Sequence, residues 1–126
     1  MEVKDMAMSE EAVKLHGEGF NCAQCVLMTA GKYTGLEENT AKRIAAGFGG
    51  GVRSGEICGA ISGAVMTIGL TEEDPRLVAA RTKQCVERFR QEFGCVRCQK
   101  LKLNRVPCDT LIAFGAQQVE ELRKED

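Results

Sequence analysis

The sequence predicts an all-α protein, a single-domain helical bundle built around a central apolar helix at about residues 57–70. Residues 57–70 contain no charged side chain, and a helix that is apolar on all sides is normally buried. This stretch is too short to cross a bilayer. No run alternates with the two-residue period of a strand, whereas helix start signals recur along the chain. A length of 126 residues suits one domain, which we assign to residues 1–126.

The first two predicted helices are defined by their caps. Ser9 is a candidate N-cap for a helix over residues 10–16. Asn21 is a candidate N-cap for a helix over residues 22–33, and Gln24 at its third position completes a capping box.

A third helix is predicted over residues 36–46. Its expected core-facing residues are Leu36, Ala41, Ile44 and Ala45. After the central helix, Asp74 and Pro75 form an N-cap followed by a proline at the first helical position, and Gly94 ends this helix after Phe93. Its predicted apolar stripe is Leu77, Val78, Cys85, Val86, Phe89 and Phe93. A short segment at residues 94–103 predicts one or two helical turns, and Pro107 opens the last helix.

A glycine run precedes the central helix, at Gly47, Gly49, Gly50, Gly51 and Gly55. It lacks the G-x-x-x-x-G-K-[ST] pattern of a phosphate-binding loop. We therefore interpret it as a tight connection between two helices, in which glycine allows positive φ angles.

Composition and charge limit the function classes. The chain carries 17 basic and 18 acidic residues, without a basic stripe, so we expect neither nucleic acid nor a membrane as partner. The first residues show no secretory signal, which predicts a cytoplasmic protein. The sequence leaves formation of a homo-oligomer open.

Seven cysteines are the main chemical feature. In a reducing compartment they indicate metal binding, catalysis or burial rather than a disulfide framework. Cys22, Cys58 and Cys108 lie at predicted helix starts, where free backbone N–H groups are expected to lower the pKa of a thiol. Cys98 lies in the short segment after Gly94.

The run GEICGAISGAVMTIG contains a CGAxxG motif from Cys58 to Gly63, with Cys22 before it and Cys98 and Cys108 after it. In this pattern the chain resembles the C_GCAxxG_C_C family of redox-active proteins. The resemblance implies a four-cysteine redox site of Cys22, Cys58, Cys98 and Cys108. Gly59 and Gly63 leave room near the Cys58 sulfur, either for a cofactor or for the backbone of a packed helix.

Three other cysteines are given secondary roles. Cys25 and Cys95 complete two CxxC pairs, with Cys22 and Cys98, and such pairs are also typical of zinc sites. The two pairs are far apart in sequence and the first looks helical, so Cys25 and Cys95 are interpreted as resolving thiols, auxiliary ligands or coincidence. Cys85 is interpreted as a buried hydrophobic residue.

Three polar residues are weaker candidates near the cysteines. His16 could supply a proton or a ligand near Cys22, although a histidine at a helix C-terminus is also favoured by the helix dipole. Arg53 and Glu56 lie close to Cys58 in the chain; Arg53 could stabilise a thiolate, but the two are interpreted as a solvated surface pair.

Three functions remain open from the sequence. The four cysteines could ligate an iron–sulfur cluster or another thiophilic metal that transfers electrons. They could instead form a metal-free thiol–disulfide relay. The protein could also be a non-catalytic metal-binding or assembly module. Whether it is an enzyme, and which redox partner protein it serves, is not determined by the sequence. In the first two cases the four sulfurs should meet in space.

Overall fold

The computed structural model describes the backbone of residues 7–124 and the side chains of residues 7–122. This part of the chain is 79% helical and has no strands, which confirms the all-α prediction. Its helices are α1 (Met8–Gly17), α2 (Cys22–Thr29), α3 (Gly31–Thr34), α4 (Glu38–Ile44), α5 (Gly59–Thr71), α6 (Pro75–Phe93), α7 (Cys98–Leu103) and α8 (Cys108–Lys124). Residues 1–6, which begin the N-terminal stretch on which the absence of a secretory signal was predicted, lie outside the described residues.

Local sequence signals set three helix boundaries as predicted. The Asn21 side chain accepts a hydrogen bond from the Gln24 N–H at 2.8 Å, and the Gln24 side chain accepts one from the Asn21 N–H at 2.9 Å. Asp74 accepts from the Arg76 N–H at 2.9 Å at the start of α6. Gly94 ends α6 in the left-handed conformation, with φ of 83°.

The predicted Ser9 cap is wrong, because α1 begins at Met8 with Ala7 as its N-cap. The Glu10 carboxylate accepts a hydrogen bond from the Ala7 N–H at 3.2 Å and so extends the helix backwards. The third helix begins at Glu38 rather than residue 36, because the Glu37 carboxylate caps it by accepting from the Thr40 N–H at 3.0 Å.

The helix predicted over residues 22–33 is interrupted at Ala30. The Thr29 hydroxyl donates to the Cys25 carbonyl at 2.7 Å and contacts the Val26 carbonyl at 3.1 Å. The regular helix ends after Thr29, and the chain continues as the separate turn α3.

The central apolar helix is present as α5, which packs against α2, α6 and α8. It starts two residues later than predicted, because Ile57 forms an isolated antiparallel bridge with Arg97. On the other side of this core, α1 packs against α8 and α2. Within the described residues, no helix combines the length and apolar character of a membrane span.

Four residues expected inside the core are exposed instead: Ile44 (48%), Ile57 (40%), Leu70 (48%) and Leu77 (43%). Helix α4 packs mainly on α2, and Ala41 and Ala45 fill that contact, which leaves Ile44 on the open side. Leu70 and Leu77 lie at the connection between α5 and α6, where the core ends.

Candidate redox site

The four cysteines of the motif lie at the N-terminal ends of four different helices. Cys22, Cys98 and Cys108 are the first residues of α2, α7 and α8, and Cys58 is the N-cap of α5. The predicted helix-start positions of Cys22, Cys58 and Cys108 are therefore confirmed. Cys98 also begins a helix, the short α7. The first N–H groups of a helix have no partner within the helix and are available to acceptors such as sulfur.

A short backbone pairing places Cys58 next to Cys98. The Cys58 N–H donates to the Val96 carbonyl at 2.9 Å, and the Cys98 N–H donates to the Glu56 carbonyl at 2.6 Å. Residues on either side of a bridged pair point to the face opposite that pair. Cys58 and Cys98 therefore share the inner face and are buried, whereas Ile57 and Arg97 face outward and are exposed.

Helix α2 brings Cys22 to the same place. A Cβ atom added to Gly59 would lie 3.3 Å from the Cys22 Cβ and 3.2 Å from the Ala23 backbone nitrogen. Cys22 therefore lies against the backbone of the residue that follows Cys58.

Electrostatic interactions connect Cys22 with each of the other three cysteines. Burial raises the pKa of the Cys22 thiol, and negative charge on Cys108 and, to a smaller extent, on Cys98 raises it further. Negative charge on Cys22 and Cys98 likewise raises the pKa of Cys58. Cys22 therefore interacts electrostatically with each of the other three cysteines, and the chemical role of the four stays a prediction.

The expectation of low-pKa thiols is wrong for Cys22 and Cys58. Burial raises the pKa of Cys58 from an ordinary 9.0 to about 12, while the N–H groups of Ala60 and Ile61 lower it only in part. The same balance holds at Cys22, where the N–H groups of Gly50 and of Cys22 itself act against burial. Burial disfavours the charged thiolate more than the N–H groups at the helix N-termini stabilise it, so the pKa rises.

The glycine run contributes a donor as well as a tight connection. Gly50, whose N–H interacts with the Cys22 sulfur, begins a left-handed stretch in which Gly50, Gly51, Val52 and Arg53 have φ between 58° and 64°. A Cβ on Gly51 would lie 2.4 Å from the Glu56 nitrogen, so only glycine fits there. The sequence predicts the tight connection but not this donor, for which the glycines were the available signal.

Gly59 and Gly63 face α2 rather than open space. A Cβ on Gly63 would lie 2.9 Å from both the Ala23 carbonyl oxygen and the Val26 Cβ. Of the two explanations that the sequence left open, the structure supports close helix packing. A role of these glycines in cofactor binding stays a prediction.

The remaining cysteines differ in their relation to the site. Cys25 is buried, and its pKa is raised to about 12 by burial and then by Cys22. Cys95 is half-buried and accepts a weak contact from the Asn104 side chain at 3.8 Å. Cys85 is buried in the core on α6, where burial raises its pKa to about 11, as expected for a hydrophobic role.

His16 contacts Asp109, a residue that was not among the predicted site residues. Its Nδ1 lies 2.6 Å from the Asp109 Oδ1, and Asp109 follows Cys108 in the first turn of α8. The acidic residue in the first turn was the available signal. The predicted pairing of Arg53 with Glu56 is wrong, because Glu56 pairs with Arg97 at 3.3 Å across the bridge.

The donor set fits a thiophilic metal in its chemistry, since it consists of four thiols. Among the residues that the structure describes, however, no group of three or more His, Cys, Asp and Glu side chains is placed to hold a metal ion. A single tetrahedral ion held by the four cysteines therefore does not fit this arrangement of the side chains.

Comparison with curated proteins gives no match, and comparison with solved structures gives none either. The family model described as "Putative redox-active protein (C_GCAxxG_C_C)" matches residues 20–122, a range that includes all four motif cysteines. The chain belongs to the C_GCAxxG_C_C family of redox-active proteins.

Proposed function

We propose that this chain is a small electron-transfer protein whose Cys22, Cys58, Cys98 and Cys108 ligate an iron–sulfur cluster. The observation that supports it is the gathering of four thiols at four helix N-termini, with Cys22 in electrostatic contact with the other three. Four thiolates are the usual ligand set of [2Fe–2S] and [4Fe–4S] clusters.

The surroundings of these sulfurs favour binding of a cationic ligand. Burial and mutual repulsion keep Cys22 and Cys58 protonated in the metal-free chain, as their raised pKa values indicate. Positive charge at the site would remove that penalty, and metal binding releases the thiol protons. The N–H groups of Gly50, Ala60 and Ile61 would then stabilise the remaining negative charge on the sulfurs. A bound cluster supplies reversible one-electron chemistry.

We propose a cluster rather than a single ion because, among the described residues, no three of the candidate ligands are placed to hold one metal ion. A cluster divides four cysteines among more than one iron, so its ligands need not converge on one point. Pairs of neighbouring cysteines, such as Cys58 with Cys98 and Cys22 with Cys108, suit this division.

Anaerobic reconstitution of the full chain with ferrous iron and sulfide tests the proposal. We expect the fully reduced protein to bind iron and sulfide and to develop thiolate-to-iron absorption that reductant bleaches. Cys58→Ser should abolish or strongly reduce this uptake. Cys85→Ala is the matched control, because Cys85 is equally buried but lies on α6 away from the site.

Absence of iron uptake by the fully reduced wild-type chain would overturn the cluster proposal. Equal uptake by Cys58→Ser and wild type would overturn the ligand assignment. Uptake without reversible reduction would instead support the metal-binding or assembly module.

A metal-free dithiol relay is the second candidate, and one observation favours it. Cys22 and Cys108 are both partly accessible, and Cys108 is the cysteine with the largest effect on the pKa of Cys22. In a relay, these two thiols would form a disulfide and pass two electrons and two protons to an acceptor. Mass spectrometry of the protein after oxidation by a low-molecular-weight disulfide would then show a reversible Cys22–Cys108 link; a mixture of pairings would argue against this relay.

A further inference from the structure

A basic surface covers the outer side of two site cysteines. It consists of residues 52–57 and 97–105, which the Ile57–Arg97 bridge joins. The two segments also pack together directly, since a Cβ on Gly55 would lie 3.1 Å from the Gln99 Cβ. Cys58 and Cys98 follow the two bridged residues in the chain, so this surface lies directly over their side of the site.

The charge of the surface contrasts with that of the chain. Its exposed basic residues are Arg53, Arg97, Lys100, Lys102 and Arg105. The acidic residue in the two segments is Glu56, which pairs with Arg97 at 3.3 Å. Because the whole chain has a formal net charge of −1, the rest of the molecule is acidic. The positive charge is therefore concentrated beside the cysteines.

Apolar side chains are interspersed with these charges. Val52 is 49% exposed, Ile57 40% and Leu103 74%. A partner that docks there can bury these apolar groups as well as pair with the charges. No aromatic residue occurs in the two segments, so the surface offers no platform for stacking nucleic acid bases.

We propose that the basic surface docks a small acidic electron-transfer protein. This proposal rests on the proposed redox function and adds the class of partner. Complementary charge steers such a partner to the correct face and raises the association rate at low salt. Docking there would place the partner beside Cys58 and Cys98 rather than at the remote ends of the bundle.

The test uses the full chain labelled with ¹⁵N, in its reduced metal-free form, titrated with a [2Fe–2S] ferredoxin of strongly negative net charge. Because binding is measured without a cluster in the labelled chain, failure of the cluster proposal does not affect the result. We expect shifts concentrated at residues 52–57 and 97–105. The dissociation constant should rise about tenfold or more between low salt and about 0.2 M salt, since exposed charges are screened.

The variant Lys100→Glu/Lys102→Glu should weaken this binding by about tenfold or more, because it reverses two charges at the interface. Lys14→Glu/Lys83→Glu is the matched control, with two exposed lysines on α1 and α6, and it should bind within about twofold of wild type. Circular dichroism checks that both variants fold. If the charge-reversed pair on α7 distorts the helix, Lys100→Gln/Lys102→Gln removes the charge with less perturbation and should still weaken binding.

Three results would overturn the proposal. The first is absence of salt-dependent binding, or equal binding of a basic haem electron-transfer protein used as a second probe. The second is tighter binding of a DNA oligonucleotide at the same residues, which would indicate a nucleic acid interface. The third is concentration-dependent self-association through these residues, which would make the surface an interface between two copies of this chain.

Discussion

Cys58 is subject to opposing influences at the scale of a single residue. It is 2% exposed, and its burial outweighs the N–H groups at the start of α5, so its pKa rises to about 12. A neutral thiol is therefore the stable form in the metal-free protein. The N–H groups at the helix N-terminus reduce the rise in pKa but do not reverse it. A simple relay initiated by a low-pKa Cys58 is therefore disfavoured.

The raised pKa predicts how the stability of the reduced metal-free chain depends on pH. Below pH 9 the Cys58 thiol is protonated in both the folded and the unfolded state and does not change the free energy of unfolding with pH. Between pH 9 and about 12 the unfolded state loses the proton while the folded state keeps it, so stability falls. The contribution is at most about 1.4 kcal/mol per pH unit for one thiol.

Urea unfolding at several pH values between 8 and 11 measures this dependence. Because other groups also contribute to the pH dependence, the informative quantity is the difference between wild type and Cys58→Ala. We expect the variant to lose less stability as the pH rises. Identical slopes for the two proteins would contradict the pKa shift.

Val52 is a residue held in a conformation that its side chain disfavours. Its φ of 58° is in the left-handed region, where a β-branched residue is unusual. Val52→Gly should raise the free energy of unfolding by about 1 kcal/mol, because the left-handed conformation costs about 1–2 kcal/mol for a residue with a Cβ. Ser54→Gly, in the same loop but without a positive φ, should lower it. Thermal unfolding of both variants compares them, and equal effects would exclude strain at Val52.

Glycines on α5 decide how closely the helices pack at the scale of the element. Gly63 lies where α2 crosses α5, and Gly115 of α8 fits against Ala60 in a similar way. The three helices that carry Cys22, Cys58 and Cys108 therefore approach each other through small residues. Tight helix crossings of this kind support the juxtaposition of their N-terminal ends.

Two alanine substitutions on α5 test this packing. Gly63→Ala should lower the free energy of unfolding by about 1–3 kcal/mol, since its Cβ would lie 2.9 Å from backbone and side-chain atoms of α2. Gly69→Ala, with nothing within 4 Å of the added Cβ, should raise it by about 0.5–1 kcal/mol. Denaturant unfolding of the two variants measures both effects. A Gly63→Ala variant as stable as Gly69→Ala would show that the crossing has spare room.

The elements that the sequence predicted well depend on neighbours in the chain. The Asn21–Gln24 capping box, the Asp74–Pro75 start and the Gly94 stop each involve residues a few positions apart. The break at Ala30 and the cap at Glu37 are also local, but they depend on which of several competing hydrogen bonds forms.

The site depends on contacts that local patterns do not encode. The helix-start positions of three cysteines followed from local signals, and the resemblance identified the set of four. The Ile57–Arg97 bridge, the Gly50 donor and the His16–Asp109 contact join residues from different parts of the fold. The sign of the pKa shifts could not be predicted either, because burial is a property of the packed molecule.

The whole molecule is organised so that the cysteines join elements of unequal stability. Helices α2, α5 and α8 pack on one another in the core, whereas α7 is short and buries mainly Cys98 and Leu101. Helix α7 contacts the left-handed loop at residues 51–55, which is largely exposed. In the metal-free chain, α7 and this loop should therefore open more readily than the core helices.

Ligation at the four cysteines should stabilise these two segments most. Because a ligand that binds only the closed state shifts the opening equilibrium, backbone amides at residues 50–57 and 96–105 should exchange hydrogen more slowly after reconstitution with iron and sulfide. The amides of α1, which carries none of the four cysteines, serve as an internal control and should change little. Hydrogen–deuterium exchange with mass spectrometry of the reduced metal-free and reconstituted chains measures the difference. Protection spread evenly over α1 and α7 would mean that the cysteines stabilise the bundle as one unit. Absence of any added protection at α7, despite iron uptake, would remove Cys98 from the ligand set.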